Sequence, residues 1–210
     1  MLAVCSCSTK QGTGTLIGTG AGTVLGGIIG KISGNTAVGA AIGGAVGAGT
    51  GALIGKHMDK VAAETAAQVK NAKVEEVTDA NGLKAVKVTF DSGILFDLNQ
   101  ATLNSSSKKE LAKFSNVLKE NSSCHVDIYG YADRSGNDAI NVPLSQKRAQ
   151  SVANYLSSCG VSNTQMQNVV GKGSQDEIEN KRVSKVNRRV EVYLYASQAM
   201  IDAANAGTLN

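Results

Sequence analysis

The stretch from residue 125 to residue 158 reads HVDIYGYADRSGNDAINVPLSQKRAQSVANYLSS. Its first seven residues, 125–131, show the alternation of a buried strand. Residues 144–158 have the apolar spacing of a helix. Between them lie Gly, Ser, Asn and Asp residues, which favour loops. The stretch therefore predicts a strand, a loop that carries Asp133, and a helix that carries Arg148 in its first turns.

The residues on either side extend this unit into a domain. A helix is predicted at 105–120, because its apolar residues fall on one face. Asn81-Gly82 is a hairpin signal between two apolar runs. Strands are predicted at 74–78, 83–90, 166–173 and 189–195. The order βαβαββ predicts an α+β sandwich over residues 74–196, in which helices cover one face of a mixed sheet.

Five short motifs in this region resemble those of one known family. They are, in order, Ile94–Asp97 with Leu103, Tyr129–Gly136, Asn141–Ala149, Gly171–Gly173 and Asn187–Glu191. Any one of these motifs is weak, but five in this order are specific. By these motifs the region resembles the OmpA-like domains, which bind peptidoglycan non-covalently through the diaminopimelate of the stem peptide. The resemblance implies the sandwich fold described above and a wall-binding function.

The resemblance also implies where the ligand binds. Diaminopimelate offers an ammonium and a carboxylate close together, so its site needs one anion and one cation. Asp133 would accept from the ammonium, and Arg148 would hold the carboxylate as a planar fork. Asn141 would fix the loop and donate to the ligand. The motifs place three further residues at the site, namely Ala132, Leu144 and Arg189, with Arg189 lining the same groove.

Some residues depart from the family pattern or allow a plainer interpretation. Family members often have Thr where Ala132 stands, and segment 174–185 lacks the usual Pro and Gly-Arg pair. Both departures bear on affinity and on stem-peptide preference. Asp133 and Arg148 could also form only a structural ion pair. A basic stretch could attract the anionic wall or be a solvated face; it comprises Lys181, Arg182, Lys185, Arg188 and Arg189.

A glycine array precedes the domain. Glycines recur every fourth residue over 14–34 and again over 39–55, which places them along one helical face. Two arms, 13–32 and 36–55, each have about the 20 residues that span a bilayer core. We predict a glycine-zipper helical hairpin over 13–56 that packs in a membrane or between subunits. A flexible Gly-rich linker is the alternative.

The cysteines and the remaining segments complete the organisation of the chain. Val4-Cys5-Ser6-Cys7 resembles the lipobox of bacterial lipoproteins, which makes Cys7 the candidate for lipidation within a tether at 1–12. A disordered terminus with incidental cysteines is the alternative. Cys124 and Cys159 would lie at one end of a βα unit, where an oxidising periplasm could join them in a disulfide. A polar helical connector is predicted at 57–73 and a short helical tail at 197–210.

Charge and composition argue against two classes of function. The net charge is +4, but residues 74–210 contain as many acidic as basic residues. With only five Tyr and three Phe in the chain, the domain lacks the surface of a nucleic-acid binder. His57 and His125 belong to no catalytic or zinc pattern. We therefore expect no cofactor, no metal and no enzymatic activity; a peptidoglycan hydrolase is the enzyme alternative.

These observations predict a non-enzymatic protein that tethers the outer membrane to the cell wall. Its expected partners are peptidoglycan, outer-membrane lipid and, through the glycine arms, further copies of the chain. We expect the protein at the outer membrane, with its C-terminal domain in the periplasm. The alternative is an oligomeric glycine-zipper pore or an envelope assembly factor that uses the domain for positioning.

Overall fold

The computed structural model describes residues 46–96 and 100–209, which form helices packed on a single sheet. The helices are α1 (Ala48–Gln68), α2 (Ser92–Leu95), α3 (Ser105–Glu120), α4 (Asp138–Ser158) and α5 (Gln198–Asn205). The strands are β1 (Ala72–Thr78), β2 (Lys84–Asp91), β3 (Cys124–Gly130), β4 (Met166–Gly171) and β5 (Arg189–Ala196).

The sheet is mixed and has the strand order β1-β2-β5-β3-β4. The pairs β1/β2, β2/β5 and β5/β3 are antiparallel, whereas β3 and β4 run parallel. The predicted turn joins β1 to β2, with Gly82 at a φ of 78° that glycine adopts without strain. The α4 helix connects the parallel strands. The predicted α+β fold is confirmed, but the order βαβαββ counts four strands and the sheet has five, because the first hairpin contributes both β1 and β2.

All the longer helices pack on the same face of the sheet. The residues of β2, β3 and β5 that point to this face are apolar and fully buried, such as Val88, Ile128 and Val192. Phe90 meets Phe114 of α3 edge-to-face, with ring centroids 5.7 Å apart. This layer is the main hydrophobic core, and it fixes α3 and α4 relative to the strand ends.

The other face of the sheet carries a second, smaller cluster built from tyrosines. Tyr129 and Tyr195 both donate to the buried carboxylate of Asp127, each at 3.1 Å. Tyr193 donates to Glu191 at 2.7 Å. A buried hydroxyl or carboxylate is costly unless it is hydrogen-bonded, and these pairs satisfy one another. Strand alternation therefore separates an apolar face from a polar, aromatic one.

The α1 helix differs from the expected connector. It begins at Ala48, inside the predicted second arm, and it continues through much of the range 57–73. Ile54, Met58 and Val61 on this helix are fully buried in the main core. A Cβ on Gly51 would stand 3.9 Å from Leu83 of the β1–β2 turn. This part of the glycine array therefore lies against the domain, and the helix belongs to the domain's core.

The C-terminal tail is also part of this core. The α5 helix matches the expected short helix, and it buries Met200, Ile201 and Ala204 in the main cluster. Thr50 of α1 donates to Asn205 of α5 over 2.5 Å. The first and last helices of the described chain thus close the same side of the core.

Several sequence predictions concern residues outside the described ranges. These are the lipobox with Cys7, the tether at 1–12, the whole first arm and residues 36–45 of the second arm. Within 46–96 and 100–209, no helix has both the length and the apolar character that a membrane crossing requires.

The predicted disulfide between Cys124 and Cys159 is not formed in the structure, where both residues are free thiols. Cys124 opens β3 and points into the main core, with its Sγ 3.9 Å from the Sδ of Met58. Burial raises the pKa of its thiol to about 12. Cys159 is the half-buried C-cap of α4. The α1 helix, which the sequence predicts as a connector outside the domain, packs against Cys124.

Candidate functional site

The candidate site forms where α4 meets the ends of the two parallel strands. Gly130 ends β3, Gly171 ends β4, and the two are paired in the sheet. A Cβ on either glycine would overlap the α4 backbone, at the Ser145 carbonyl and the Gln146 amide respectively. The Gly173 amide also donates to the Ser145 hydroxyl at 2.9 Å. The two strand-end glycines therefore bring the first turns of α4 onto the strand ends.

The α4 helix begins six residues earlier than the sequence predicted. The apolar spacing begins at Leu144. Pro143, just before it, lacks an amide proton and restricts the residue that precedes it, so a proline is unusual inside a helix. The structure starts the helix at Asp138, with the Asn137 side chain accepting from the Ile140 amide as an N-cap. This extra turn contains Asn141.

Asn141 ties the loop that carries Asp133 to the helix. It is buried, and its Nδ2 donates to the carbonyl of Asp133 at 2.8 Å and to that of Gly136 at 3.0 Å. A Cβ on Gly136 would stand 2.7 Å from the Asn141 Oδ1. The structure thus gives Asn141 the loop-fixing contacts expected from the sequence.

Asp133 is 2% exposed, and its carboxylate is fully used within the protein. Oδ1 accepts from the amide of Ser135 at 3.1 Å and from its hydroxyl. Oδ2 accepts from the Ser184 amide at 3.0 Å and forms an ion pair with Arg188. Burial alone raises the pKa of Asp133. The donors from Ser135, Ser184 and Arg188 outweigh burial, so the pKa lies below the usual value.

Arg148 is 3% exposed and is much less well compensated. Its Nε donates to the Gln100 carbonyl at 3.0 Å, and its guanidinium lies 5.3 Å from the centre of the Phe96 ring. Its Nη1 is buried and has no hydrogen-bond partner among the described residues. Burial, followed by the nearby Arg188 guanidinium, lowers the pKa of Arg148, while Asp133 acts in the opposite direction. Arg148 remains a cation at neutral pH.

Arg188 was not among the residues singled out as ligand contacts. The sequence placed it in a basic stretch and gave no signal that it would pair with Asp133. The structure leaves 24% of its side chain exposed. Among the described residues, the site therefore contains one carboxylate and two guanidinium groups, with a net charge of about +1.

Arg189 lies away from this group. It is buried, and it pairs with Glu191 through an Nε–Oε1 contact of 2.7 Å. Its Nη2 donates to the Asp176 carbonyl at 2.9 Å, and its guanidinium lies 3.7 Å from the centre of the Tyr131 ring. The alternation of β5 places Arg189 on the tyrosine-bearing face of the sheet. The structure therefore does not bring Arg189 to Asp133, and its neighbour Arg188 is the arginine found there.

Ala132 and Leu144 frame the site without polar side chains. Ala132 is buried, and its amide donates to the Gly173 carbonyl at 2.6 Å, which joins the loop to the end of β4. Leu144 is half-buried on the first turns of α4.

Segment 174–188 folds over the loop that carries Asp133. Asn187 is fully buried at its centre, where its Oδ1 accepts from the amides of Ile178 and Glu179. Arg134, in the loop that carries Asp133, forms an ion pair with Glu177 at 2.5 Å, which joins the loop to the segment. The segment is therefore ordered by its own hydrogen bonds even though it lacks the residues usual in the family.

The chain resembles several known proteins. Residues 95–191 match the OmpA family, and residues 10–62 match the glycine zipper. The Escherichia coli protein described as probable lipoprotein YiaD is 31% identical over 135 residues, covering 60% of this chain and 61% of that protein. Outer membrane protein P5 of Haemophilus influenzae is 30% identical over 128 residues, covering 60% of this chain and 36% of that protein.

A solved MotB-like protein from Desulfovibrio vulgaris shares the fold. The TM-score is 0.58 at 20% identity, over 70% of this chain and 96% of that one. The chain spans about a third to three fifths of the length of the two curated relatives. The family match, the sheet topology and the ordered motifs agree, and they assign residues 95–191 to the OmpA family, with a glycine-zipper segment at residues 10–62.

Proposed function

We propose that this protein binds peptidoglycan non-covalently, through the diaminopimelate of the stem peptide, and thereby tethers the outer membrane to the cell wall. The main support is the buried Nη1 of Arg148, a charged donor without a partner in the described part of the chain. A buried donor left unpaired costs about 1–3 kcal/mol, and an incoming carboxylate would satisfy it. Asp133 in the same loop–helix unit would receive the ligand's ammonium.

The rest of the chain fits an envelope tether. Relatives of the matched region are named as outer membrane proteins or a probable lipoprotein. The proposal therefore places the wall-binding domain in the periplasm and the N-terminal segment at the outer membrane, with Cys7 as the lipidated residue. The glycine-zipper match at residues 10–62 favours packing of the glycine arms in lipid or between copies of the chain.

The direct test is co-sedimentation of the whole chain, residues 1–210, with purified sacculi that contain diaminopimelate. The full chain is needed, because α1 supplies core residues that a fragment starting at residue 74 would lack. Wild type should pellet, whereas Asp133→Ala and Arg148→Ala should stay in the supernatant, since losing one buried charged contact costs about 2–5 kcal/mol. Retained binding by both variants would contradict the site.

Two matched controls isolate the site from general charge effects. Arg182→Ala removes an exposed cation of the 174–188 segment, and Asp202→Ala removes an exposed anion on α5. Both controls should pellet like wild type. The proposal also holds that the protein is not a hydrolase. Release of soluble muropeptides during the same incubation would contradict that part.

A further inference from the structure

The Asp133 carboxylate has no acceptor position left for a ligand. A carboxylate offers about four lone-pair sites, and Asp133 already accepts from the Ser135 amide, the Ser135 hydroxyl, the Ser184 amide and Arg188. An ammonium can therefore reach Asp133 only if one of these donors leaves.

The four donors differ in how easily they can leave. Two are backbone amides, held by the loop and by segment 174–188. The Ser135 hydroxyl is neutral, and replacing it by an ammonium would leave two cations, the ligand's ammonium and Arg188, on the Asp133 carboxylate. Replacing Arg188 instead exchanges one cation for another, so that Asp133 still pairs with a single cation. The Arg188 side chain is also partly exposed, so it has solvent to move into.

Resting on the proposed function, we propose that Arg188 is an internal competitor that occupies the ammonium position at Asp133. The ligand's ammonium displaces the Arg188 guanidinium, and the ligand's carboxylate pairs with the Nη1 of Arg148, which has no partner among the described residues. Arg188 thereby sets the affinity of the site, because only molecules with Arg188 released can bind. The observed affinity falls in proportion to that released fraction.

This role predicts a gain of binding when the competitor loses its charge. When the whole chain is titrated with diaminopimelate-containing sacculi, Arg188→Gln should bind roughly tenfold more tightly than wild type, if about one molecule in ten has Arg188 released at rest. Arg188→Lys keeps a cation at this position and should bind within about twofold of wild type. Arg182→Gln removes the same charge from the same segment away from Asp133, and it should also stay within about twofold.

The outcomes separate this inference from the proposed function. Unchanged or weaker binding by Arg188→Gln would overturn the inference, because Arg188 would then not compete with the ligand for Asp133. If wild type does not bind sacculi, the proposed function fails for the resting protein. A gain in Arg188→Gln would then still support the competitor, and no gain would overturn it. Thermal unfolding of each variant verifies that the folded protein is being compared.

Discussion

Asp133 and Arg148 are almost equally inaccessible to solvent in one loop–helix unit, yet the fold compensates the two charges in opposite ways. The carboxylate receives four donors, whereas the guanidinium keeps a buried nitrogen without a partner in the described residues. The pKa of each group lies below its usual value, which favours the charged form of Asp133 and disfavours that of Arg148. Asp133 therefore contributes to folding, while Arg148 is a cost that a ligand would offset.

The largest expected effect comes from disrupting the contact between Gly130 and α4, on which the positions of Arg148 and of the loop that carries Asp133 both depend. In Gly130→Ala, the added methyl group meets the Ser145 carbonyl and forces α4 away from the strand ends. Because extra atoms in a tightly packed contact force the backbone to shift, we expect a loss of about 3 kcal/mol in the free energy of unfolding, measured with urea. The same shift would displace Arg148 and Asn141, which α4 carries. Gly51→Ala is the control, since its methyl group makes only ordinary contact. It should stabilise α1 slightly, and an equal loss there would contradict this account.

The next effect compares the two charges directly. Asp133→Asn leaves Arg188 without its counter-ion and turns an amide group toward donors. It should destabilise the protein by about 2 kcal/mol, less than a fully buried pair would, because Arg188 is partly exposed. Arg148→Met removes the poorly compensated charge and keeps apolar bulk, so stability should stay within about 1 kcal/mol of wild type or rise. Equal losses in the two variants, measured by urea unfolding, would contradict the inferred difference between the well-compensated Asp133 and the poorly compensated Arg148.

The smallest effect is a pH dependence carried by Asp133. Its pKa is lower in the folded protein than in the unfolded chain, where a carboxyl titrates near 4. Its stabilisation is therefore complete above that pH and is lost as the pH falls through the folded pKa. Unfolding at pH 7 and at pH 3 should show a smaller acid-induced loss in Asp133→Asn than in wild type. Identical losses would mean that other carboxylates account for the whole dependence.

Local pattern was enough to predict most of the fold. The α3 helix has the predicted bounds, and the Asn81-Gly82 turn joins the strands expected on either side. The start of α4 was missed because the apolar spacing begins only at Leu144, whereas the helix is capped seven residues earlier by Asn137. The role of α1 was missed because its glycines suggested a membrane helix, whereas Ile54, Met58 and Val61 follow a helical spacing that also fits a protein core.

The candidate site was predictable only in part. The motifs identified Asp133, Arg148 and Asn141, which the structure brings together. They did not distinguish Arg188 from Arg189, because a motif carries no information about the face of a strand. The alternation of β5 could have done so, since Arg189 shares its parity with Glu191 and Tyr193. That the Asp133 carboxylate is saturated depends on Ser184, and no sequence pattern linked that residue to the loop.

The burial of α1 in the core sets how the protein would carry mechanical load. The glycine-zipper match reaches residue 62, well into this helix. A pull applied at Ala48 would therefore act on the OmpA-like domain through Ile54, Met58 and Val61, which are packed in its core. Drawing out the 21 residues of α1 would lengthen the chain by roughly 40 Å. While α1 stays packed in the core, the distance from Ala48 to the rest of the domain is fixed. If α1 detaches and unfolds, the chain can extend by that length.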